Sequence, residues 1–120
     1  MQMQDKIVIN DYIENDPLSE ENLDKTLETV NRFRLLFPNK SIWLYSGYRW
    51  SEIFNDGVYL TKDCAGWKRR EIIKQCNVLI DGRYIDSQRN PLKKWAGSDN
   101  QRVIDIRKSL EQNKVILYCD

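Results

Sequence analysis

The sequence predicts an α/β domain with a mostly parallel sheet and flanking helices. Short runs of branched and aromatic apolar residues alternate with segments whose apolar residues recur at three- and four-residue steps. Their order is strand, helix, strand, helix, strand, which favours right-handed βαβ crossovers in one sheet. Of 120 residues, 41% are hydrophobic and 11% are aromatic, so we expect residues 1–120 to form one domain with a buried core.

The first strand and the first helix have the clearest signals. Lys6–Ile9 contains three consecutive branched apolar residues, which is typical of a buried strand of a parallel sheet. Ser19 is the expected N-cap of the helix, acidic residues occupy its first turn, and Pro38 ends it. Four apolar residues form a stripe that we interpret as core packing: Leu23, Leu27, Val30 and Phe33.

The elements that follow are predicted from shorter patterns. In order they are a strand at Ser41–Tyr45, a short helix at Trp50–Phe54, a helix at Trp67–Gln75 and a buried strand at Asn77–Asp81. Residues 83–101 are rich in polar residues and glycine, and we expect an ordered loop there. The chain then continues through the apolar run Val103–Ile106, a turn at 111–113 and a strand at Val115–Tyr118.

Charge and composition exclude several classes of partner. The chain has 19 Lys+Arg and 18 Asp+Glu, so its net charge of +1 gives no reason to expect nucleic acid or an anionic membrane as partner. We interpret the basic run Trp67–Arg70 as the solvated face of a helix. No apolar run is long enough to cross a bilayer, and the first residues are polar, so we expect a cytoplasmic protein.

The cysteine and histidine content argues against a self-sufficient metalloenzyme or hydrolase. The three cysteines are Cys64, Cys76 and Cys119, and their spacing matches neither a zinc site nor a cluster loop. We expect them to be reduced and to lie buried or partly buried. Histidine is absent, which removes the commonest general base and metal ligand.

Polar residues follow the predicted strands, where ligands bind in open α/β sheets. Ser46, Gly47 and Tyr48 follow the second strand, and Asp81-Gly82-Arg83 ends the third. Asp81 could bond a ribose or an amine and Arg83 a carboxylate, whereas the alternative is an Asp–Arg pair that closes a loop. Asp16 could likewise be a ligand or only the polar residue of an Asp-Pro-Leu-Ser turn.

Three stretches in order carry a resemblance to one family. They are Asp16-Pro17-Leu18-Ser19 with the strand ending Tyr45-Ser46-Gly47-Tyr48, then Val78-Leu79-Ile80-Asp81-Gly82-Arg83-Tyr84, then Gly97-Ser98-Asp99-Asn100-Gln101-Arg102. Over about residues 7–118 the chain resembles the C-terminal half of the activating protein of anaerobic (class III) ribonucleotide reductase, a radical-SAM protein.

The resemblance implies a fold, cofactors and a partner. The fold would be the C-terminal portion of a radical-SAM partial (βα) barrel, and the partner would be anaerobic ribonucleotide reductase. Family members use a 4Fe-4S cluster and S-adenosylmethionine (SAM) to place a glycyl radical on the reductase. The residues that the resemblance assigns to the SAM side or to ligand binding are Asp16, Ser46, Tyr48, Asp81, Arg83, Ser98, Asn100 and Gln101.

Two departures from the family pattern shape the functional expectation. The family's Cys-x3-Cys-x2-Cys loop has no counterpart here, and Glu14-Asn15 replaces two glycines before Asp16, which adds bulk beside the site for SAM. We therefore expect a truncated or degenerate activating protein that is not catalytic alone and has no cofactor of its own. The alternative is a non-catalytic protein-interaction module. The first strand would leave an open sheet edge, covered by the chain itself or used in self-association.

Overall fold

The computed structural model describes residues 6–54 and 64–119. The strands are β1 (Lys6–Val8), β2 (Ser41–Ser46), β3 (Val78–Asp81) and β4 (Arg102–Asp105). The α-helices are α1 (Leu23–Leu36), α2 (Trp50–Ile53), α3 (Ala65–Lys74) and α4 (Ile106–Gln112). Single 3-10 turns lie at Ile9–Asp11, Glu20–Asn22 and Asp86–Gln88.

The sheet is open and mostly parallel, as predicted. Its strand order is β1-β2-β3-β4; β1, β2 and β3 run parallel, and β4 pairs antiparallel with β3. Because β1 to β3 are parallel, their carboxyl ends lie at the same edge of the sheet. The antiparallel register places Asp81 directly opposite Arg102.

The helices cover one face of the sheet. Alternate strand residues such as Ile42 and Leu44 are fully buried there, together with Val30 of α1 and Ile72 and Ile73 of α3. This segregation follows from the two-residue period of a strand, which directs successive side chains to opposite faces. The predicted stripe of α1 packs in the same cluster, with Leu27 and Phe33 only partly buried.

The opposite face is covered by aromatic residues from the loop before β4 and from the end of the chain. Trp43 is buried, and its ring centroid lies 5.0 Å from that of Trp95 and 5.1 Å from that of Tyr118. The Lys6 ammonium lies 4.1 Å from the Trp43 centroid and 4.0 Å from the Trp95 centroid. Both indole faces therefore contribute cation–π attraction at the β1 edge.

The end of α1 is fixed by Arg34. Its guanidinium donates to the carbonyls of Gln75, Pro38 and Lys40 and to Asn77 Oδ1, at 2.7–3.2 Å. All five N–H donors of the side chain are thereby engaged by uncharged acceptors. Burial lowers the pKa of Arg34, with the nearby Arg107 as a further cause.

Two local expectations hold only in part. Ser19 is the N-cap residue of the 3-10 turn that leads into α1, but its hydroxyl donates to the Asp16 carbonyl at 2.8 Å and accepts no capping bond. In the run 67–70, predicted to be a solvated face, Arg69 donates to the Leu18 carbonyl and Arg70 to the Ile53 carbonyl. Lys68 pairs with Asp24 at 2.7 Å, so the basic side chains hold α3 against its neighbours.

The region after β4 differs most from the prediction. Residues 106–112 form α4, a helix that was not predicted, with Asp105 as its N-cap accepting from the Lys108 N–H at 3.0 Å. Residues 115–118 are not a strand and form only the isolated bridge between Ile104 and Leu117. Backbone bonds from Asp105 to Ile116 and from Tyr118 to Val103 hold this segment beside β4.

The two edges of the sheet differ. The β4 edge is covered by the segment just described, whereas no strand within the described ranges lies beyond β1. In those ranges, too, no helix has the length and apolar character needed to cross a membrane.

Candidate functional site

Three adjoining cavities lie at the carboxyl ends of the parallel strands and together form what we call the carboxyl-end groove. Their volumes are about 660, 420 and 340 Å³. The first and third share Gly47, Arg83 and Tyr84, and the first and second share Arg49 and Asn100. The groove lies where ligands bind in open α/β sheets.

Asp16 connects the turn before α1 to the end of β2. Its carboxylate accepts from the Leu18 N–H at 2.9 Å, the Gly47 N–H at 2.8 Å and the Ser46 hydroxyl at 2.9 and 3.1 Å. A carboxylate offers about four acceptor positions, so these bonds use most of its capacity. Asp16 therefore fixes the turn, which is one of the two roles that the sequence suggested, and it also lines the 340 Å³ cavity.

The turn before Asp16 contains a residue other than glycine with a positive φ. Asn15 has φ of 64°, in the left-handed region that asparagine tolerates better than most residues. Its side chain lines the 340 Å³ cavity, while Glu14 is exposed. Asn15 thus gives the turn a backbone conformation that glycine also adopts, and it adds a side-chain amide there.

Asn10 joins the ends of β1 and β2. Its side-chain amide donates to the Tyr45 carbonyl at 2.9 Å and accepts from the Tyr45 N–H at 2.8 Å. Asn10 also lines the 340 Å³ cavity, and the sequence analysis did not single it out. The available signal was a lone amide residue directly after a buried strand.

The segment Ser98–Gln101 supports the turn after β3. Asn100 donates to the Arg83 carbonyl at 2.7 Å, and Gln101 donates to the Gly82 carbonyl at 3.1 Å. Ser98 is fully buried and its hydroxyl bonds Asn100 at 2.6 Å and the Ile85 N–H at 3.2 Å. This segment is ordered, as predicted, and it fixes Gly82, whose φ of 97° suits glycine.

Asp81 is committed to an internal pair. Its carboxylate is 1% exposed and binds Arg102 through two bonds of 2.7 and 3.1 Å, and it also accepts from the Trp50 N–H at 2.9 Å. The hydrogen bond with Asp81 raises the pKa of Arg102. The alternative of an Asp–Arg pair is thus realised, but with Arg102 in place of Arg83.

Arg83 reaches over the end of β2 and lines two of the cavities. A Cβ added at Gly47 would lie 3.0 Å from Arg83 Cγ and 3.4 Å from Asp16 Oδ2. Because Gly47 has no Cβ, the Arg83 side chain can cross the end of β2.

The structure places the eight predicted site residues in four groups. Asp16, Ser46, Arg83 and Gln101 line the 340 Å³ cavity, and Asn100 and Asp81 line the neighbouring ones. Ser98 lies beneath the groove. Tyr48 points elsewhere: its hydroxyl accepts from Arg69 at 3.0 Å and its ring stacks on that guanidinium at 4.1 Å.

The cysteines of the described ranges do not fit an iron–sulfur cluster. Cys64 precedes α3 and Cys76 follows it, so the ten residues of the helix separate them by about 15 Å. Burial raises the pKa of Cys76 to about 12, which disfavours the thiolate that iron requires. Cys119 is exposed, contrary to expectation. Residues 6–54 and 64–119 contain no group of three Cys, His, Asp or Glu placed to hold a metal.

An open, mostly parallel sheet with polar groups gathered at its carboxyl edge is typical of α/β domains that bind small molecules. Residues 14–104 match the family described as a 4Fe-4S single cluster domain, and the chain belongs to that family.

Several relatives share one name, anaerobic ribonucleoside-triphosphate reductase-activating protein. The chain is 30% identical to the protein of Escherichia coli (strain K12) over 92 residues, which are 77% of this chain and 52% of the relative. It is 36% identical to that of Enterobacteria phage T4 over 89 residues, 73% of this chain and 47% of the relative. These matches confirm the resemblance inferred from the motifs. The chain spans about half the length of these relatives, and no solved structure matches it significantly.

Proposed function

We propose that this chain forms the SAM side of a ribonucleotide reductase-activating protein, built as the C-terminal portion of a radical-SAM partial barrel and not catalytic by itself. One observation carries the proposal: Asp16, Ser46, Arg83 and Gln101, which come from three distant motifs, line a single cavity at the strand ends. The names of the relatives support the reductase as partner.

The groove has complementary groups for a zwitterionic ligand. In this proposal the remaining acceptor capacity of Asp16 binds the ammonium group of SAM, and the Arg83 guanidinium binds the carboxylate in bidentate fashion. SAM, where bound, supplies the sulfonium bond that the family cleaves. The residues of this chain contribute binding and orientation, and Gln101 and Asn100 hold the turn that carries Arg83.

In this proposal the cluster is held by cysteines that are not part of this sequence, since Cys64, Cys76 and Cys119 all lie in the described ranges and do not fit one. The support is the chemistry of the thiols: Cys76 is buried and its thiol donates to the Ile72 carbonyl at 3.3 Å, and Cys64 is on the far side of α3. A cluster-bearing polypeptide that adds to the β1 edge would complete the activating protein.

The test is anaerobic incubation of the purified chain with iron and sulfide, followed by iron analysis and a SAM titration. We expect no stoichiometric four-iron cluster and saturable SAM binding that weakens in Asp16→Asn. Asp11→Asn, an exposed residue outside the three cavities, is the matched control. A stoichiometric cluster would overturn the assignment of the cluster to other cysteines. An affinity for SAM that is unchanged in Asp16→Asn would overturn the assigned site.

A second candidate, a non-catalytic interaction module, is favoured by the β1 edge. That strand has no partner beyond it in the described ranges, and exposed Tyr12, Leu36 and Phe37 belong to the neighbouring turn and to the end of α1. Capture of anaerobic reductase by a chain that binds no SAM would favour this candidate. A concentration-dependent dimer in sedimentation velocity would instead show self-association through the edge.

A further inference from the structure

The largest part of the carboxyl-end groove has a composition of its own. Its 660 Å³ are within the range of small-molecule sites. Its lining contains the guanidiniums of Arg49 and Arg83, the phenol of Tyr84, the hydroxyl of Ser51, the carboxylate of Glu52 and the amide of Asn100. We call it the arginine cavity.

The two arginines of this cavity are not neutralised by the described part of the chain. No carboxylate of residues 6–54 or 64–119 forms an ion pair with Arg49 or Arg83, whereas Arg102 is paired with Asp81. The cavity has one carboxylate, Glu52, which accepts from the Arg49 backbone N–H at 2.9 Å. Two guanidiniums and one carboxylate among the lining residues leave an excess of one positive charge there, and planar guanidinium groups favour phosphate oxygens.

The backbone of Arg83 is fixed at the wall of the cavity. Asn100 donates to its carbonyl at 2.7 Å, and the first part of the side chain crosses Gly47, where an added Cβ would come within 3.0 Å of Arg83 Cγ. The exposed guanidinium extends from this fixed point along the cavity that Arg83 lines.

Tyr84 provides a fixed aromatic surface beside the two arginines. Its ring is packed so closely on Gly97 that an added Cβ there would lie 3.0 Å from Cδ1 and 3.2 Å from Cε1. The hydroxyl donates to Asp86 at 3.0 Å, and the residue remains 51% exposed. Any nucleobase can stack on such a ring, because every base has a π-face.

We propose that the arginine cavity binds a nucleoside phosphate, with the phosphates on Arg49 and Arg83 and the base against Tyr84. The proposal goes beyond the proposed function, because SAM has no phosphate and the polar groups assigned to it lie mainly in the neighbouring 340 Å³ cavity. Arg83 borders both, so the two ligands would exclude one another.

The test is calorimetric titration of the purified chain with ATP, at fixed ionic strength because salt screens such contacts. We expect saturable binding of one ATP per chain. Arg83→Gln and Arg49→Gln should each weaken it by about tenfold or more, and Tyr84→Leu by a smaller factor that is still resolved. Arg107→Gln removes the same charge from exposed α4 and should leave the affinity unchanged. Circular dichroism checks the fold of each variant.

Adenosine and inorganic phosphate separate the two parts of the ligand. If adenosine and inorganic phosphate each bind more weakly than ATP, the proposal is supported. No ATP binding, or an equal loss in Arg107→Gln, would overturn it. Inorganic phosphate binding as tightly as ATP would also overturn it, because the cavity would then recognise an anion alone. These titrations contain no SAM, so their result can be interpreted even if the chain does not bind SAM. A separate titration of ATP in the presence of SAM tests whether the two ligands compete for Arg83.

Discussion

Replacing Arg34 tests how the end of α1 is joined to the sheet. Arg34→Met keeps much of the apolar stem and removes all the hydrogen bonds of the guanidinium. Water can replace the bond to the carbonyl of exposed Pro38, but Gln75 and Asn77 are part-buried. The Lys40 carbonyl is part-buried as well, and three part-buried acceptors that lose their donor cost about 1 kcal/mol each, so we expect a loss of about 3 kcal/mol in the free energy of unfolding.

The assay is urea unfolding followed by circular dichroism, with a thermal melt as second readout. A loss of about 3 kcal/mol corresponds to a melting temperature lower by about 12 °C in a domain of this size. Arg34→Lys keeps the charge and some of the donors, so we expect about half of that loss.

Arg32→Met is the matched control because it removes the same charge two residues earlier. Arg32 pairs with Glu28 at 3.5 Å, and their side chains are 70% and 74% exposed, so the change should stay within about 0.5 kcal/mol. A loss below about 1 kcal/mol for Arg34→Met, or equal losses in both variants, would refute the reasoning.

Three further predictions concern buried polar groups. The Thr26 hydroxyl is buried and has no partner among the described residues, so Thr26→Val should raise the free energy of unfolding by about 1 kcal/mol in urea titrations; a decrease would indicate a bound water. Asp81→Asn leaves Arg102 without its carboxylate and should lower the free energy of unfolding by about 2 kcal/mol in the same assay. An unchanged free energy of unfolding would show that the ion pair does not stabilise the fold. Burial raises the pKa of Cys76 from 9.0 to about 12, so the unfolded chain loses this proton first and stability should fall between pH 9.0 and about 12. Cys76→Ala should flatten that alkaline decline, and an unchanged slope would contradict the assignment.

The parallel part of the sheet and α1 were predictable because their patterns are local. The three- and four-residue steps in the sequence correspond to the packed face of α1, and the continuous apolar runs correspond to the buried residues of β2 and β3. Pro38 marked the end of the helix two residues after Leu36. Boundaries elsewhere moved by one or two residues, as at β1, where Ile9 begins a 3-10 turn.

Helix α4 was missed because a polar residue occupies its buried face. Ile106 and Ser109 are the buried residues of this helix, and serine does not register as part of an apolar stripe. The Ser109 hydroxyl is satisfied by the Ile116 backbone, from which it accepts at 2.8 Å. The same contact keeps 115–118 from forming the predicted strand, so both errors have one physical origin.

The residues that follow the parallel strands could be predicted to lie in the candidate site. The contacts that depend on the register between β3 and β4 could not. Parallel strands bring Ser46 and Arg83 to one edge regardless of detail. The partner of Asp81 depends on the antiparallel pairing of β4, which connects residues 21 positions apart. No spacing rule in the sequence distinguishes Arg102 from Arg83 for that role.

The β1 edge, beyond which the described residues place no strand, determines how this sheet can be extended. With the β4 side covered, that edge beside Lys6–Val8 is where the described sheet can accept a further strand. Two copies related by a two-fold axis would align these edges antiparallel. In the proposed partial barrel, a second polypeptide that continues the sheet would align its strand parallel to β1. Strand direction across this edge therefore distinguishes a homodimer from a complemented enzyme, and isotope-edited measurements across the edge can determine it.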